Sequence, residues 1–365
     1  MSEWQTFCLK DLGKIVGGAT PSTNNPKNYG NKIAWITPKD LSTLQGRYIK
    51  KGSRSISRLG FKSCSCVLLP KHAILFSSRA PIGYVAIAKK RLCTNQGFKS
   101  IIPNKKIYFE FLYYLLKYHK DSISNIGGGT TFKEVSGTTL GLFKVKIPPT
   151  YYEQQKIART LSILDQKIEN NHKINELLHT LAYKIYEYYF KYKPKNAKLE
   201  QIIIENPKSS IMVKNAQKTQ DKYPFFTSGD NILSYPKAII DGRNCFLNTG
   251  GNAGIKFYVG KASYSTDTWC ICANEFSDYL YLLLSNIKTH INQSFFQGTS
   301  LKHLQKNLLK KYPIYMPSAH EIKKFNQIIM PLLTLISINT RTSKKLEQIR
   351  DFLLPLLLKQ QVKPQ

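Results

Sequence analysis

Two short turns rich in glycine and hydroxyl side chains carry polar groups that could bind a phosphate. Each turn is followed within a few residues by a lysine, and the groups concerned are Gly129, Thr130, Thr131 and Lys133 in one turn and Gly298, Thr299 and Lys302 in the other. Backbone amides beside glycine, hydroxyls and a nearby cation are suitable donors to phosphate oxygens. We interpret both turns as candidate contacts to a nucleic-acid backbone; the alternative is that they are plain flexible turns.

Two further loops combine Arg, Asn, Ser and Thr at places where predicted strands end. They contain Ser77, Ser78 and Arg79 in one half of the chain and Asn248, Thr249 and Asn252 in the other. Side chains of these types can form hydrogen bonds with base edges in a DNA groove. A turn held by its own hydrogen bonds is the alternative. The dipeptides Asn95-Gln96 and Thr266-Asp267 are predicted to be structural caps of turns.

The signatures of common catalytic sites do not occur in the sequence. Gly260-Lys261 is followed by Ala262, so no G-x-x-x-x-G-K-[ST] loop exists, and no H-E-x-x-H motif occurs. The segment Ile147-Pro-Pro-Thr-Tyr151 is similar to the Asn-Pro-Pro-Tyr motif of amino-methyltransferases, but isoleucine cannot hydrogen-bond the target amine. No cluster of carboxylates suited to a Mg²⁺-dependent nuclease is visible. We therefore predict a chain that is not an enzyme and binds no cofactor itself.

The seven cysteines include two C-x-C pairs, Cys64/Cys66 and Cys270/Cys272. Structural zinc sites typically combine a C-x₂₋₄-C pair with a second pair of Cys or His, and the histidines here show no such spacing. Both C-x-C pairs lie in strand-like runs, where a period of two places the thiols on one face. We expect buried strand cysteines and no metal site.

The charge balance indicates a polyanionic partner. The 365-residue chain has 54 Lys and Arg against 22 Asp and Glu, a formal net charge of +32. A phosphate backbone would relieve this self-repulsion and release counterions. A solvated cationic surface and an acidic membrane surface are the alternatives. No apolar run approaches the roughly 20 residues of a membrane span, and no signal peptide is visible, so a cytoplasmic location is expected.

The second half of the chain repeats the first at an offset of about 168 residues. Pro149 and Glu153 correspond to Pro317 and Glu321 at that offset. Upstream, the turns around Gly129 and Gly298 correspond, as do the loops beginning at Ser78 and Thr249, with small drifts that place insertions in loops. A length of 365 residues fits two domains or one duplicated unit.

Each half ends in an apolar seam that alternates steps of four and three residues. The seams run from Ile157 to Tyr189 and from Phe325 to Leu357. Such a heptad pattern predicts two long helices that pair with each other; ordinary amphipathic helices on a globular core are the alternative. Asn171 and Asn339 hold equivalent seam positions, where a polar residue fixes the register of the pair.

Helices and short β-rich runs alternate in both halves. We predict a first globular unit to about residue 152 and a helix over 153–190, ended by the Lys/Pro-rich break at Pro194. Strand-like runs occur at residues 67–69, 74–76, 84–87, 245–247 and 256–259. The predicted fold class is therefore α+β, with two mixed α/β domains separated by two long helices.

The order of these segments resembles the DNA-specificity subunit of Type I restriction-modification systems over essentially the whole chain. Matching segments of the first half are residues 17–22, 33–36, 76–83, 95–98, 129–131 and 147–157; those of the second half are residues 223–225, 250–254, 265–267, 298–299 and 316–321. No single segment is very specific, but their order is duplicated together with the helices.

The resemblance implies two target-recognition domains, 1–152 and 193–318, each reading half of a split, asymmetric site in double-stranded DNA. Long helices over 153–192 and 319–361 would hold them apart as an antiparallel coiled coil with a pseudo-two-fold axis. Two adenine methyltransferase subunits would dock on the helices, and restriction subunits would join that complex. S-adenosylmethionine, ATP and Mg²⁺ would be used by those partners and not by this chain.

One departure from the family pattern concerns Pro331 and Pro355 in the second helix. A proline removes one helix hydrogen bond and costs about 3 kcal/mol in an unrelieved interior. We expect the C-terminal helix to begin at Pro331 or to be kinked.

Two alternative functions fit the same residues. The chain could be the recognition partner of a restriction enzyme whose nuclease and methyltransferase share one polypeptide, which the neighbouring gene would reveal. It could also be a general RNA-binding factor, which a comparison of duplex DNA with RNA binding would separate.

Overall fold

Residues 3–129, 133–216 and 222–364 are described by a computed structural model, in which the chain divides into two units. The first unit contains residues up to 170 together with those from 343 onward, and the second contains residues 171–342. Across the described ranges, no helix combines the length and apolar character that a membrane crossing requires.

The first unit is built on a five-stranded sheet flanked by smaller sheets. Its strands are β1 (Gln5–Cys8), β2 (Gly13–Gly17), β3 (Tyr29–Ile36), β4 (Tyr48–Ile49), β5 (Arg54–Ile56), β6 (Ile74–Ser78), β7 (Ile82–Ala88), β8 (Cys93–Thr94), β9 (Lys99–Pro103) and β10 (Lys144–Ile147). Its helices are α1 (Leu9–Leu12), α2 (Pro38–Ser42), α3 (Arg58–Lys62), α4 (Phe109–Asn125), α5 (Gly137–Leu142) and the first part of α6 (Tyr151–Tyr186). The sheets have the orders β2-β9-β6-β7-β4, β5-β3-β8 and β1-β10.

The second unit repeats this plan with shorter elements. Its strands are β11 (Ala197–Lys198), β12 (Ile204–Glu205), β13 (Tyr223–Phe226), β14 (Leu233–Tyr235), β15 (Arg243–Asn248), β16 (Ile255–Val259), β17 (Ser263–Tyr264), β18 (Thr268–Cys272), β19 (Phe296–Gln297), β20 (His303–Leu304) and β21 (Pro313–Ile314). Its helices are α7 (Val213–Ala216), α8 (Ser277–Asn286), α9 (Lys288–Ser294), α10 (Lys306–Lys310) and the first part of α11 (Ala319–Leu358). The sheets have the orders β12-β18-β15-β16, β14-β13-β17, β19-β20 and β11-β21.

Strand pairing confirms the internal repeat. In both units a hairpin (β6-β7, β15-β16) pairs through its first strand with the strand before the main helix (β9, β18). A second sheet contains one parallel pair in each unit, β3 with β8 and β13 with β17. The strand that enters each long helix pairs antiparallel with the first strand of its half. The predicted α+β fold with two mixed domains and long helices is confirmed.

A helix packed on the main sheet forms the core of each unit. All residues from Phe111 to Leu116 on α4 are buried, as are those from Tyr279 to Leu284 on α8. The strand β10 alternates buried Val145 and Ile147 with exposed lysines, as expected for a sheet with one face in the core. The apolar period of the sequence therefore predicts which faces are inside.

In the second unit, α6 and α11 pack antiparallel along the predicted seam. Phe325 near the start of α11 stacks edge-on against Phe190, which follows α6 in a π-helical turn, at 4.9 Å between ring centroids. Farther along, the Asn339 amide donates to the Asn175 side-chain oxygen at 2.9 Å, and Asn175 donates to the Ile336 carbonyl oxygen at 3.3 Å. Asn339 thus lies on the seam as predicted, and the residue bonded to it is Asn175, one turn after Asn171.

In the first unit, the start of α6 packs on the end of α11. Ile157 and Leu161 belong to the same buried cluster as Leu354 and Leu357. The Arg350 guanidinium lies 2.7 Å from the Asp165 carboxylate within this helix pair. The antiparallel pairing is therefore present in this unit as well.

The C-terminal helix begins at Ala319, so the prediction of a start at Pro331 is wrong. A capping box opens the helix: Ser318 accepts from the Glu321 amide at 3.3 Å, and the Glu321 carboxylate accepts from the Ser318 amide at 3.0 Å. Phe325 and Ile329 in the turns before Pro331 are fully buried. Their packing offsets the missing hydrogen bond, since tertiary burial supplies most helix stability.

The predicted strand at residues 67–69 is also wrong, and Cys64 and Cys66 do not lie in a strand. Leu69 forms only an isolated bridge to Leu92. The Cys66 thiol donates to the Ala19 carbonyl oxygen at 3.0 Å, so its segment is held by side-chain bonds instead of a sheet ladder. Cys270 and Cys272 lie in β18 as predicted.

Candidate nucleic-acid interface

The loop after β6 is held from inside by the Ser77 side chain and the Ser78 backbone. Ser77 and Ser78 are fully buried. The Ser77 hydroxyl donates to the Pro81 carbonyl oxygen at 2.8 Å and accepts from the Tyr84 amide at 2.8 Å. Both serines were candidates for reading bases, but buried side chains cannot reach DNA from this conformation. They support the loop that carries Arg79, whose side chain is 37% exposed.

The glycine-rich turn of the first unit lies against this loop. The Val135 amide donates to the Ser78 carbonyl oxygen at 3.0 Å, and Gly128 and Glu134 exchange two backbone hydrogen bonds. The Glu134 carboxylate lies 3.6 Å from the Arg79 guanidinium and 3.2 Å from the Lys99 ammonium. Gly129, at a φ of 115°, and Lys133 are exposed beside it. Thr130 and Thr131 lie outside the described residues.

The second unit builds the same arrangement from its own sequence. The Leu304 amide donates to the Thr249 carbonyl oxygen at 3.0 Å, which reproduces the bond from Val135 to Ser78. The Gly251 amide donates to the Lys302 carbonyl oxygen at 2.9 Å. The structure thus joins the loop after the hairpin's first strand to the glycine turn in each unit. The second-unit candidates exposed there are Asn252, Gly298, Thr299 and Lys302.

Asn248 and Thr249 hold the second loop in place. Asn248 is buried, donates to the Asn252 carbonyl oxygen at 3.1 Å and accepts from the Lys256 ammonium at 3.1 Å. Burial lowers the pKa of Lys256, whose ammonium also donates to the Thr227 carbonyl oxygen at 2.8 Å. The Thr249 hydroxyl donates to the Asp267 carbonyl oxygen at 2.8 Å. These two side chains therefore play the structural part that the serines play in the first unit.

Of the two dipeptides predicted to cap turns, Asn95-Gln96 does so, since the Asn95 side-chain oxygen accepts from the Gly97 amide at 3.0 Å. The Thr266 hydroxyl donates to the Asp267 carboxylate at 3.0 Å, a bond between two side chains. Each turn also contacts the candidate loop of its unit, since the Ser78 amide donates to the Gly97 carbonyl oxygen at 2.8 Å. The two turns form the base of the candidate interface.

Two arginines paired with carboxylates, one buried and one half-buried, were missed by the sequence reasoning. Arg47 lies 3.0 Å from Glu110, and Arg243 lies 2.5 Å from Asp278. The available signal was that Glu110 and Asp278 correspond at the 168-residue offset, which marks a carboxylate kept in both halves. No sequence pattern indicated which arginines they bind.

Possible metal ligands do not gather in the part of the chain that the structure describes. No group of three or more His, Cys, Asp or Glu side chains within the described ranges could hold a metal ion. The exposed groups at the loops are cations, amides, hydroxyls and glycine backbone, together with the Glu134 and Asp267 carboxylates. Their chemistry suits contacts with phosphates and base edges.

Comparison with known proteins gives a consistent result over the whole chain. Residues 1–180 and 195–348 each match the family described as the Type I restriction modification DNA specificity domain. The specificity subunit of the Type I restriction enzyme MjaIX from Methanocaldococcus jannaschii is 33% identical over 403 aligned positions, covering 98% of this chain and 93% of that protein. The HindI specificity subunit of Haemophilus influenzae is 30% identical over 177 positions, covering 46% of this chain and 37% of its own length.

A solved structure has the same fold. The crystal structure of the S subunit of a Type I restriction-modification system from M. genitalium superposes with a TM-score of 0.64, covering 97% of this chain and 96% of that one. Sequence identity to it is 17%, so this likeness concerns the fold alone.

Proposed function

Because this chain belongs to the family of DNA-specificity subunits of Type I restriction-modification systems, whose role is recognition and not catalysis, we propose that it reads a bipartite, asymmetric DNA site with one surface in each unit. The supporting observation is the duplicated loop-and-turn arrangement with different exposed side chains. Arg79 and Glu134 correspond to Gly250 and His303 at offsets of 171 and 169. Matched backbones with unlike side chains would read unlike half-sites.

The exposed residues divide into two groups by chemistry. Gly129, Lys133, Gly298, Thr299 and Lys302 are proposed phosphate contacts, with Thr130 and Thr131 included on sequence grounds. Arg79 and Asn252 are proposed to reach base edges, because Arg pairs with guanine and Asn with adenine in the major groove. Ser77, Ser78, Asn248 and Thr249 would act by holding these loops in shape.

The proposed division of labour follows the predicted boundaries. Recognition domains would cover 1–152 and 193–318, and the helices over 153–192 and 319–361 would separate them. Asn171 and Asn339 would help to fix the helix register, with Asn175 as the hydrogen-bond partner of Asn339.

Exposed apolar side chains on the helices support docking of partner subunits. In the second unit, six large apolar side chains on the two long helices are exposed. Leu177 is 71% exposed, and the others are Ile174, Leu181, Ile328, Leu335 and Ile338. Their steps of three, four and seven residues along each helix form a second seam outside the first, which suits helices of a partner. We propose that two methyltransferase subunits bind there and that restriction subunits join them. Methylation of adenine with S-adenosylmethionine and cleavage with ATP and Mg²⁺ would then occur on the partners, in the cytoplasm.

The test is to map methyl-adenine in the host genome with and without this gene. We expect one bipartite motif to lose methylation on deletion and to regain it on complementation. Purified protein with labelled S-adenosylmethionine and DNA should transfer no methyl group until a methyltransferase subunit is added. Transfer by this chain alone, or an unchanged methylome, would refute the proposal.

A further inference from the structure

Each unit contains an arginine, buried in the first unit and half-buried in the second, that connects its main sheet to a long helix. Arg47 immediately precedes β4 at the edge of the five-stranded sheet, and its side chain is 3% exposed. Arg243 is the first residue of β15 in the four-stranded sheet, and its side chain is 16% exposed. Both lie away from the loops proposed to contact DNA.

In the first unit, Arg47 contacts two helices at once. Its side chain donates to Glu110 on α4 at 3.0 Å and to Glu169 on α6 at 3.2 Å. Its backbone amide donates to the same Glu169 oxygen at 2.9 Å. Tyr48 and Tyr108 donate to the Glu110 carboxylate at 2.5 Å and 2.9 Å, so that this anion is held from several sides.

In the second unit, Arg243 makes an equivalent connection. Two of its nitrogens each donate to one Asp278 oxygen on α8 at 2.5 Å. The same guanidinium donates to the Thr334 hydroxyl at 3.0 Å and to the Met330 carbonyl oxygen at 3.2 Å, both on α11. Sheet, core helix and long helix thus meet at one side chain.

The two connections share a carboxylate position but not an arginine position. Glu110 and Asp278 correspond at the 168-residue offset, one on α4 and the other on α8. The arginines come from a sheet-edge loop in one unit and from a central strand in the other. Both halves therefore have this contact, although each forms it with an arginine from a different place in its sheet. This indicates that the link to the helix matters beyond any one side chain.

A guanidinium is suited to fixing an angle. Its planar donors bind carboxylates and hydroxyls in set directions, whereas apolar side chains can slide over each other with little change in free energy. A buried charge cannot leave its partners without a large desolvation cost. An arginine bonded to both sheet and helix thus limits how the sheet can turn on that helix.

We propose that Arg47 and Arg243 fix the orientation of each recognition domain on the long helix of its own unit, and thereby set the gap length accepted between the half-sites. This inference rests on the proposed function as a reader of a bipartite site. Both arginines are positioning residues that touch no DNA. The sequence of each half-site should be independent of them.

The experiment uses the full chain assembled with its methyltransferase subunits and a DNA library. The library keeps both half-sites and varies the gap by single base pairs, and methylation is measured by sequencing. Wild-type protein should methylate one gap length. Arg47→Met and Arg243→Met, which keep an apolar stem of similar length, should raise methylation at gaps one pair longer or shorter at least tenfold, with unchanged half-sites.

Lys191→Met is the control, because its ion pair with Glu187 joins two residues of the same helical segment. It should leave the accepted gap as in the wild type. Should either arginine variant fail to fold, Glu169→Gln removes the charge that pairs with Arg47, and Thr334→Val removes one hydrogen bond to Arg243. Both variants should relax the gap at nearly unchanged melting temperature. A gap that stays fixed in folded variants, or a changed half-site sequence, overturns the inference. Failure of the wild-type complex to methylate any bipartite site would instead refute the proposed function.

Discussion

Arg79 and Glu134 lie 3.6 Å apart at the recognition loop of the first unit, with more than a third of each side chain exposed. The backbone around them is repeated in the second unit, where the corresponding residues Gly250 and His303 form an isolated antiparallel β-bridge through their backbones. The pair is thus a feature of one half only. An exposed ion pair of this kind contributes about 0–1 kcal/mol, so DNA can readily replace Glu134 as the partner of Arg79.

Replacing Arg79 with Ala should relax specificity in one half-site. A good Arg–guanine contact discriminates by about 1–3 kcal/mol, so methylation at sites with a wrong base there should rise roughly tenfold or more relative to the correct site. The second half-site should be unaffected. Methylome sequencing provides the readout, with Lys99→Ala as a control that removes the other cation beside Glu134. Equal loss at both half-sites would contradict a base-reading role.

Lys133→Ala and Lys302→Ala should weaken binding to all DNA sequences by similar factors. Each neutralised phosphate contributes about −0.9 to the slope of log K against log salt, so each variant should reduce the slope by about one. Titrations of specific and random duplexes at several salt concentrations measure this slope. A slope of log K against log salt that is unchanged in both variants would show that neither lysine contacts a phosphate.

The Asn175–Asn339 pair should show a non-additive effect on stability. Asn339→Leu leaves the half-buried Asn175 side-chain oxygen without its donor at 2.9 Å and should lower the free energy of unfolding by about 1–2 kcal/mol. The double variant Asn175→Leu with Asn339→Leu restores an apolar seam and should be as stable as the wild type or more so. Denaturant titration of Asn175→Leu, Asn339→Leu and the double variant is the measurement. Additive losses would mean that the two amides do not interact in solution.

Glu321 should make stability depend on acidity at the start of α11. Hydrogen bonds from the Ser318 amide and the Tyr315 hydroxyl lower the pKa of Glu321 to about 2. A lowered pKa means that this stabilisation is fully present above the ordinary value near 4.5 and is lost as the pH falls toward 2. Glu321→Gln keeps a capping oxygen but removes the negative charge at the helix N-terminus, so it should cost about 0.3–1 kcal/mol at pH 7 and progressively less as the pH falls below 4.5. Thermal melts of the wild type and of Glu321→Gln between pH 2 and pH 7 are the measurement. A difference in melting temperature that stays constant over this range would contradict the prediction.

Periodicity and repetition predict much of the architecture. The steps of three and four between Ile157 and Tyr189 identify a helix seam, because the buried face of a helix must recur at that spacing. A seam pattern predicts which face of a helix is buried, but it does not predict which residue of the partner helix lies opposite a given seam residue. For this reason it does not predict the bond from Asn339 to Asn175. Local sequence at Pro331 predicts either a helix start or a kink, because the burial of Phe325 and Ile329 depends on tertiary packing that the local sequence does not show.

The sequence predicts where in the chain the candidate loops lie better than it predicts which of their side chains are exposed. Residues 77–79 were located correctly at a strand end, but which of them face the solvent depends on the fold of the loop. Ser77 is drawn inward by the Pro81 carbonyl oxygen, four residues away. Arg47 and Arg243 were not predicted, since arginine is usually exposed and only the contacts with distant carboxylates explain their burial.

The first unit is closed by the last helical turns of the chain. Leu354, Leu357 and Leu358 are buried in its core, whereas the second unit is one continuous stretch of sequence. A ribosome adds about 5–20 residues per second, so the N-terminal unit waits on the order of 10–40 s for the segment that completes it. The unit synthesised first is therefore the last to be finished, and during translation its exposed leucine-binding surface is a place where a chaperone can bind.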